Sequence, residues 1–106
     1  MSEISPSEVQ VLLEREPKEF VLLDCREVDE VRIATIRGSI NIPMGEIPSR
    51  ITSLDPDMPI VVYCHYGVRS ANVAEFLRKQ DFRDVKNMSG GIDAWSRQVD
   101  PSVPLY

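Results

Sequence analysis

A single histidine, His65, and only two cysteines, Cys25 and Cys64, leave little material for a metal centre. The cysteines are not in C-x-x-C spacing, so no zinc or other metal site and no disulfide framework are expected. No apolar run approaches the ~20 residues that cross a bilayer. The amino terminus also lacks the basic-then-apolar layout of a signal peptide, so a cytoplasmic protein without membrane partners is expected. Basic charge is short as well. Twelve Lys and Arg against 17 Asp and Glu give a net charge of −5, which argues against nucleic acid as a partner. Repeats and low-complexity segments are missing. A chain of 106 residues builds one core and no second one, hence a single domain over 1–106, expected as a monomer.

What is present centres on residues 60–76. Ile60-Val61-Val62-Tyr63 is a continuous β-preferring run and reads as a buried strand, central in a parallel sheet. Cys64 stands at its carboxyl end, and His65-Tyr66-Gly67-Val68-Arg69-Ser70 leads into a helical pattern. Ala71, Val73, Ala74 and Leu77 form its packed face, with Glu75, Arg78 and Lys79 outside. A helix amino terminus offers unpaired N–H groups and about half a positive charge. A cysteine there ionises readily, its pKa falling from ~8.5 to roughly 3.5–7.5. Gly67 is expected to turn the loop with positive φ. Arg69 is expected to fork onto an anion, and Ser70 to cap the helix. A strand-end cysteine also fits a plain core position. The conjunction of Cys, Gly, Arg and helix start is what favours a thiolate.

The Cys64 loop resembles the active-site loop of rhodanese-type sulfurtransferases. Three other stretches fit the same family. Asp24-Cys25-Arg26-Glu27 is similar to its D-x-R-E element, and Gly38-Ser39-Ile40-Asn41-Ile42-Pro43 to its G-A-x-N-I-P element. Asn87-Met88-Ser89-Gly90-Gly91-Ile92-Asp93-Ala94-Trp95 is similar to its L-x-G-G-x-x-A-W element. The resemblance implies an α/β, rhodanese-like three-layer domain, with a central, mostly parallel sheet of about five strands and helices on both faces. It also implies that Cys64 attacks the outer sulfur of a donor, becomes a persulfide, and passes that sulfur to an acceptor. No separate cofactor enters. The implied partners are small sulfur donors and acceptors or a sulfur-carrier protein. Loop residues His65 to Ser70 would bind substrate, and Asp24, Arg26 and Glu27 would be scaffold. One departure stands out: Ala34-Thr35-Ile36 replaces the family's Gly-His-Ile, which is expected to alter the pocket rim and not the chemistry.

In chain order, Met1–Ile4 is expected to add an edge strand. Ser5-Pro6-Ser7-Glu8 opens a helix with a capping box, and the helix ends before Pro17. Phe20–Leu23 is a second buried strand, delivering Asp24 to the carboxyl edge where ligands gather in open α/β sheets. Glu27–Ile33 is a short helix, Ser39–Ile42 a strand stopped by Pro43, and Ile47, Ile51 and Leu54 one side of a helix ending at Asp55-Pro56. Asp84–Met88 is the last strand. Asp93-Ala94-Trp95 opens the final helix, with Trp95 in the core, and residues 99–106 are a proline-containing tail. That tail is similar to the ending of rhodanese modules linked to ubiquitin-activating-like sulfurylases. Cys25 is expected to be a core residue in preference to a resolving thiol, because no sequence rule brings it within disulfide reach of Cys64.

His65, as the immediate neighbour of Cys64, is expected to point away from it and stand exposed. Four residues separate Cys64 from Arg69, whereas related dual-specificity phosphatases use five to hold a whole phosphate. The shorter cradle suits one sulfur atom and disfavours phosphatase activity. With Arg69 as the loop's one certain cation, weak thiosulfate turnover and a preference for thiol or protein donors are expected. A non-catalytic binding module, or a persulfide sensor contacting a partner through the tail and Tyr106, is the alternative.

Overall fold

The computed structural model describes residues 2–106; the first residue of the expected edge strand lies outside them. Five strands, β1 (Glu3–Ile4), β2 (Val21–Asp24), β3 (Ser39–Asn41), β4 (Ile60–Tyr63) and β5 (Val85–Met88), form one sheet in the order β1-β5-β4-β2-β3. Every pairing is parallel. The helices are α1 (Pro6–Glu14), α2 (Val28–Ile33), α3 (Ile47–Arg50), α4 (Val68–Lys79) and α5 (Gly91–Gln98).

The central strand β4 is buried at all four positions, and its side chains alternate between two cores. Ile60, Val62 and Cys64 join Leu23, Val73, Ala74 and Leu77 on one face. Val61 and Tyr63 join Leu22, Val9, Ile92 and Trp95 on the other. Parallel strands covered on both faces need apolar residues throughout, which is why the pattern runs continuously instead of alternating. The expected three-layer architecture is what forms.

Local chemistry sets most boundaries. Ser5 Oγ accepts the Glu8 N–H at 3.1 Å, and Glu8 Oε1 accepts the Ser5 N–H at 3.0 Å, closing the capping box on α1. The helix anticipated around Ile47, Ile51 and Leu54 is only four residues long and is flanked by 3-10 turns at Met44–Glu46 and Ile51–Ser53. Pro48 fits just inside its start, and the Met44 N–H is spent on the Cys25 carbonyl at 2.9 Å. The final helix begins at Gly91, two residues before the expected Asp93. Residues 99–106 are docked. Val103 is buried with Trp95, and the Ser96 hydroxyl donates to the Val103 carbonyl.

Candidate active site

β4 delivers Cys64 to the carboxyl edge of the sheet, and α4 starts four residues later. Gly67 is the N-cap of α4, at φ 102°, a conformation that side chains avoid. The helix therefore begins earlier than the expected Ser70 cap, and Ser70 is its third residue. The shift brings two N–H groups to bear on one sulfur. Gly67 N lies 3.1 Å and Ser70 N 3.4 Å from Cys64 Sγ. Ser70 Oγ sits 3.2 Å from the same sulfur and 2.5 Å from Asn87 Oδ1. Asn87 donates its amide to the Gly67 carbonyl at 3.1 Å and to Glu3 Oε2 at 3.1 Å, which fixes its oxygen toward Ser70.

The loop carbonyls face the other way. The Ile92 N–H donates to the Cys64 carbonyl at 2.9 Å and the Asp93 N–H to the His65 carbonyl at 3.1 Å. These are orphan donors of the first turn of α5. Gly91 permits the approach, since a Cβ there would lie 2.5 Å from the Cys64 carbonyl oxygen.

The outcome is a strongly acidic thiol. The Cys64 pKa falls from 9.0 to about 4, with a hydrogen bond from the Cys25 thiol as the largest cause. Burial opposes ionisation, and the Ser70 hydroxyl and the Ser70 and Gly67 amides outweigh it. Cys25 moves in the opposite direction. Its bond to Cys64 and its burial hold its thiol firmly protonated.

Asp24 and Arg26, expected as scaffold, are both fully buried. Arg26 Nη2 meets Asp24 Oδ2 at 2.7 Å and Arg26 Nε meets Oδ1 at 2.9 Å. The guanidinium also donates to the Ala34 carbonyl at 2.7 Å and the Tyr106 hydroxyl at 2.9 Å. The turn around Ala34-Thr35-Ile36 is thus held through backbone groups. Glu27 is placed differently: its side chain is exposed, its N–H is held by Glu30 Oε1 at 3.1 Å, and its carbonyl accepts the Glu30 and Val31 N–H groups at 3.0 and 3.2 Å. The carboxylate that matters is Glu30, one helical turn on.

Arg69 is not free to fork onto a ligand. Its Nη1 and Nη2 grip Glu30 Oε1 and Oε2 at 2.7 and 2.9 Å. That pairing, with the Tyr106 hydroxyl, lowers the Glu30 pKa to about 2 against some opposition from burial. His65 departs from expectation too. Its ring lies between Tyr66 and Tyr106, with centroid separations of 3.8 and 3.7 Å, and its Nε2 is buried without a hydrogen-bond partner. Tyr66 and Val68 are the exposed residues of the loop, at 59% and 72%.

Glu30, Asn41, Asn87 and Tyr106 were not expected at the site. Asn41 donates its amide to the Asp24 and Arg26 carbonyls, each at 2.9 Å. Its place in the G-x-x-N-I-P stretch was the available signal. Nothing local marks Glu30 or Tyr106, which meet the loop only through the fold. Among the described residues, no cluster of His, Cys, Asp or Glu is arranged to hold a metal ion. Nor is any helix long and apolar enough to cross a membrane.

This geometry has relatives. The rhodanese-like domain pattern matches residues 5–98. The chain belongs to the rhodanese-like family. It is 37% identical over 101 residues to a putative sulfurtransferase of Bacillus subtilis, covering 95% of this chain and 96% of that protein. It is 35% identical over 79 residues to a putative sulfur carrier protein of the same organism, covering 74% of this chain and 43% of that one. The crystal structure of a rhodanese-related protein from Thermoplasma volcanium superposes with a TM-score of 0.85 at 30% identity, over the full length of both chains. Some relatives are longer. The chain spans 40% of a chloroplastic rhodanese-like/PpiC domain-containing protein of Arabidopsis thaliana.

Proposed function

We propose that this rhodanese-like domain is a sulfurtransferase that carries sulfane sulfur as a persulfide on Cys64. The observation behind the reading is the Cys64 sulfur at the end of β4, held by the Gly67 and Ser70 N–H groups at 3.1 and 3.4 Å, with its pKa pulled down to about 4. The thiolate attacks the outer sulfur of a donor, and the donor remnant leaves with the bonding pair. The anionic persulfide that results extends along the same N–H groups. An acceptor thiol, thiocarboxylate or cyanide then attacks the outer sulfur and restores the thiolate. No further cofactor takes part. His65 has no part in proton transfer, since its ring is stacked between two tyrosines.

Donor choice follows from charge. Thiosulfate is a dianion, and Arg69 is neutralised by Glu30, so nothing in the loop offers it a free guanidinium. A small persulfide or a protein donor needs no such partner and is the preferred class. Exposed Tyr66 and Val68 give a protein an apolar rim to meet, and the kinship with a sulfur carrier protein agrees with a carrier as partner.

The test is intact mass after incubation with thiosulfate or a small persulfide, wild type beside Cys64→Ser. The expected result is a gain of one sulfur atom, faster from the persulfide, removed by cyanide and missing in Cys64→Ser. No gain from either donor would leave a binding module as the better reading.

A further inference from the structure

Cys25 is a second sulfur that the transfer cycle leaves without a chemical task. It is fully buried in the same apolar cluster as Cys64. β2 and β4 pair in parallel up to Asp24 and Tyr63, and the ladder goes one step further, with the Cys25 N–H donating to the Tyr63 carbonyl at 3.1 Å. Cys25 and Cys64 therefore occupy matching positions at the ends of adjacent strands, with both side chains on one face. Adjacent strands lie ~4.7–4.9 Å apart, inside the ~4.4–6.8 Å Cα separation that disulfides span. The Cys25 S–H donates to the carbonyl of Tyr63, the residue that precedes Cys64, at 3.5 Å.

Resting on the sulfur-transfer reading, we propose that Cys25 resolves the Cys64 persulfide when no acceptor arrives. The Cys25 sulfur attacks Cys64 Sγ, and a Cys25–Cys64 disulfide forms. The bond between Cys64 Sγ and the outer sulfur breaks, and that sulfur leaves as hydrosulfide with the Cys25 proton. The sulfane sulfur is reduced and the two cysteines are oxidised, so no outside oxidant enters. A dithiol reductant returns both to thiols.

The surroundings time the step. While Cys64 is a thiolate, Cys25 is its hydrogen-bond donor, and two reduced sulfurs have no reaction to make. Loading with sulfur moves the charge one atom outward; once that outer sulfur takes the Cys25 proton, Cys25 is a thiolate and Cys64 Sγ is electrophilic. Cys25 reaches Cys64 from β2, whereas the Gly67 and Ser70 amides reach it from the loop and α4. The leaving sulfur therefore departs toward donors that stabilise its charge.

Wild type and Cys25→Ser are loaded with a small persulfide donor, freed of excess donor, and left without acceptor. Both gain one sulfur atom. Wild type then loses it with release of one equivalent of hydrosulfide, and peptide mapping finds a Cys25–Cys64 disulfide. Cys25→Ser keeps its sulfur roughly tenfold longer. Equal lifetimes in the two proteins, with loading intact, overturn the proposal and leave sulfur transfer standing. If neither protein loads, the transfer reading fails instead. Diamide oxidation of reduced wild type then tests the pair directly: a Cys25–Cys64 disulfide supports the assignment, and its absence overturns it.

Discussion

The Asp24–Arg26 pair is the sharpest place to test how the site is held up. Both side chains are essentially removed from water, at 1% and 0% exposure, and joined by two short contacts. Asp24→Asn keeps the shape and removes the negative charge, leaving a buried guanidinium with neutral partners. Breaking one side of such a pair costs about 3–5 kcal/mol. Unfolding entropy of roughly 2.1 cal/mol/K per residue, taken over 106 residues, converts this to a fall in Tm of roughly 13–22 °C. Urea denaturation followed by the fluorescence of Trp95, the only tryptophan, measures the same loss as a lower midpoint at unchanged m. The companion variant is Asp24→Leu with Arg26→Met, which removes both charges. It is expected to lose clearly less than the sum of the two single changes, because neither charge is left alone. A loss below about 1 kcal/mol for Asp24→Asn, or effects additive within ~0.5 kcal/mol, would refute the reasoning.

The ultraviolet absorbance of the Cys64 thiolate is expected to persist down to about pH 4, with the midpoint raised in Cys25→Ala. The folded pKa lies below the unfolded value near 9.0, so this group's stabilisation is complete above about pH 9 and is lost as pH falls toward 4. A wild-type midpoint near 9 would contradict the cradle. Glu30→Gln frees Arg69, and kcat/KM for thiosulfate is expected to rise about tenfold, or ~1.4 kcal/mol; unchanged or lower turnover counts against the charge argument for donor choice. Gly91→Ala drives a methyl group toward the Cys64 carbonyl, so a stability loss of roughly 1–3 kcal/mol and slower sulfur uptake are expected. Wild-type uptake rates in that variant would show that the close approach is dispensable.

Legibility in the sequence followed the range of the interactions. Strands β2 and β4 were read to within a residue because continuous apolar runs report burial on both faces. The α1 start was read from four residues, Ser5 to Glu8, because a capping box is complete within one turn. Cys64 and Gly67 were legible for the same reason, lying within a few residues of the helix they serve. Ser70 was misread because a cap and a third helical residue differ only by where the loop ends, and Gly67 ended it first. Arg69 and His65 were misread because their partners are remote in sequence. Glu30 is 39 residues from Arg69, and Tyr106 reaches both Glu30 and the His65 ring from the tail. An isolated motif presents Arg69 as a free cation; the fold spends it.

That pairing leaves an unusual balance around the sulfur. Arg26 is matched by Asp24 and Arg69 by Glu30, so neither guanidinium is free to face the thiolate. The chief causes that lower the Cys64 pKa are hydrogen bonds, from Cys25, Ser70 and Gly67. The cradle works by orientation. The α5 amides draw the Cys64 and His65 carbonyls outward, while the Gly67 and Ser70 amides near the start of α4 point inward. Dipoles fixed within a few ångströms of a buried charge are little screened, whereas exposed ions are screened as the Debye length falls from ~10 Å at 0.1 M salt to ~3 Å at 1 M. The Cys64 midpoint is therefore expected to move by less than about half a unit across that range of salt. A larger rise at high salt would mean that an exposed cation, and not the oriented backbone, keeps the sulfur ionised.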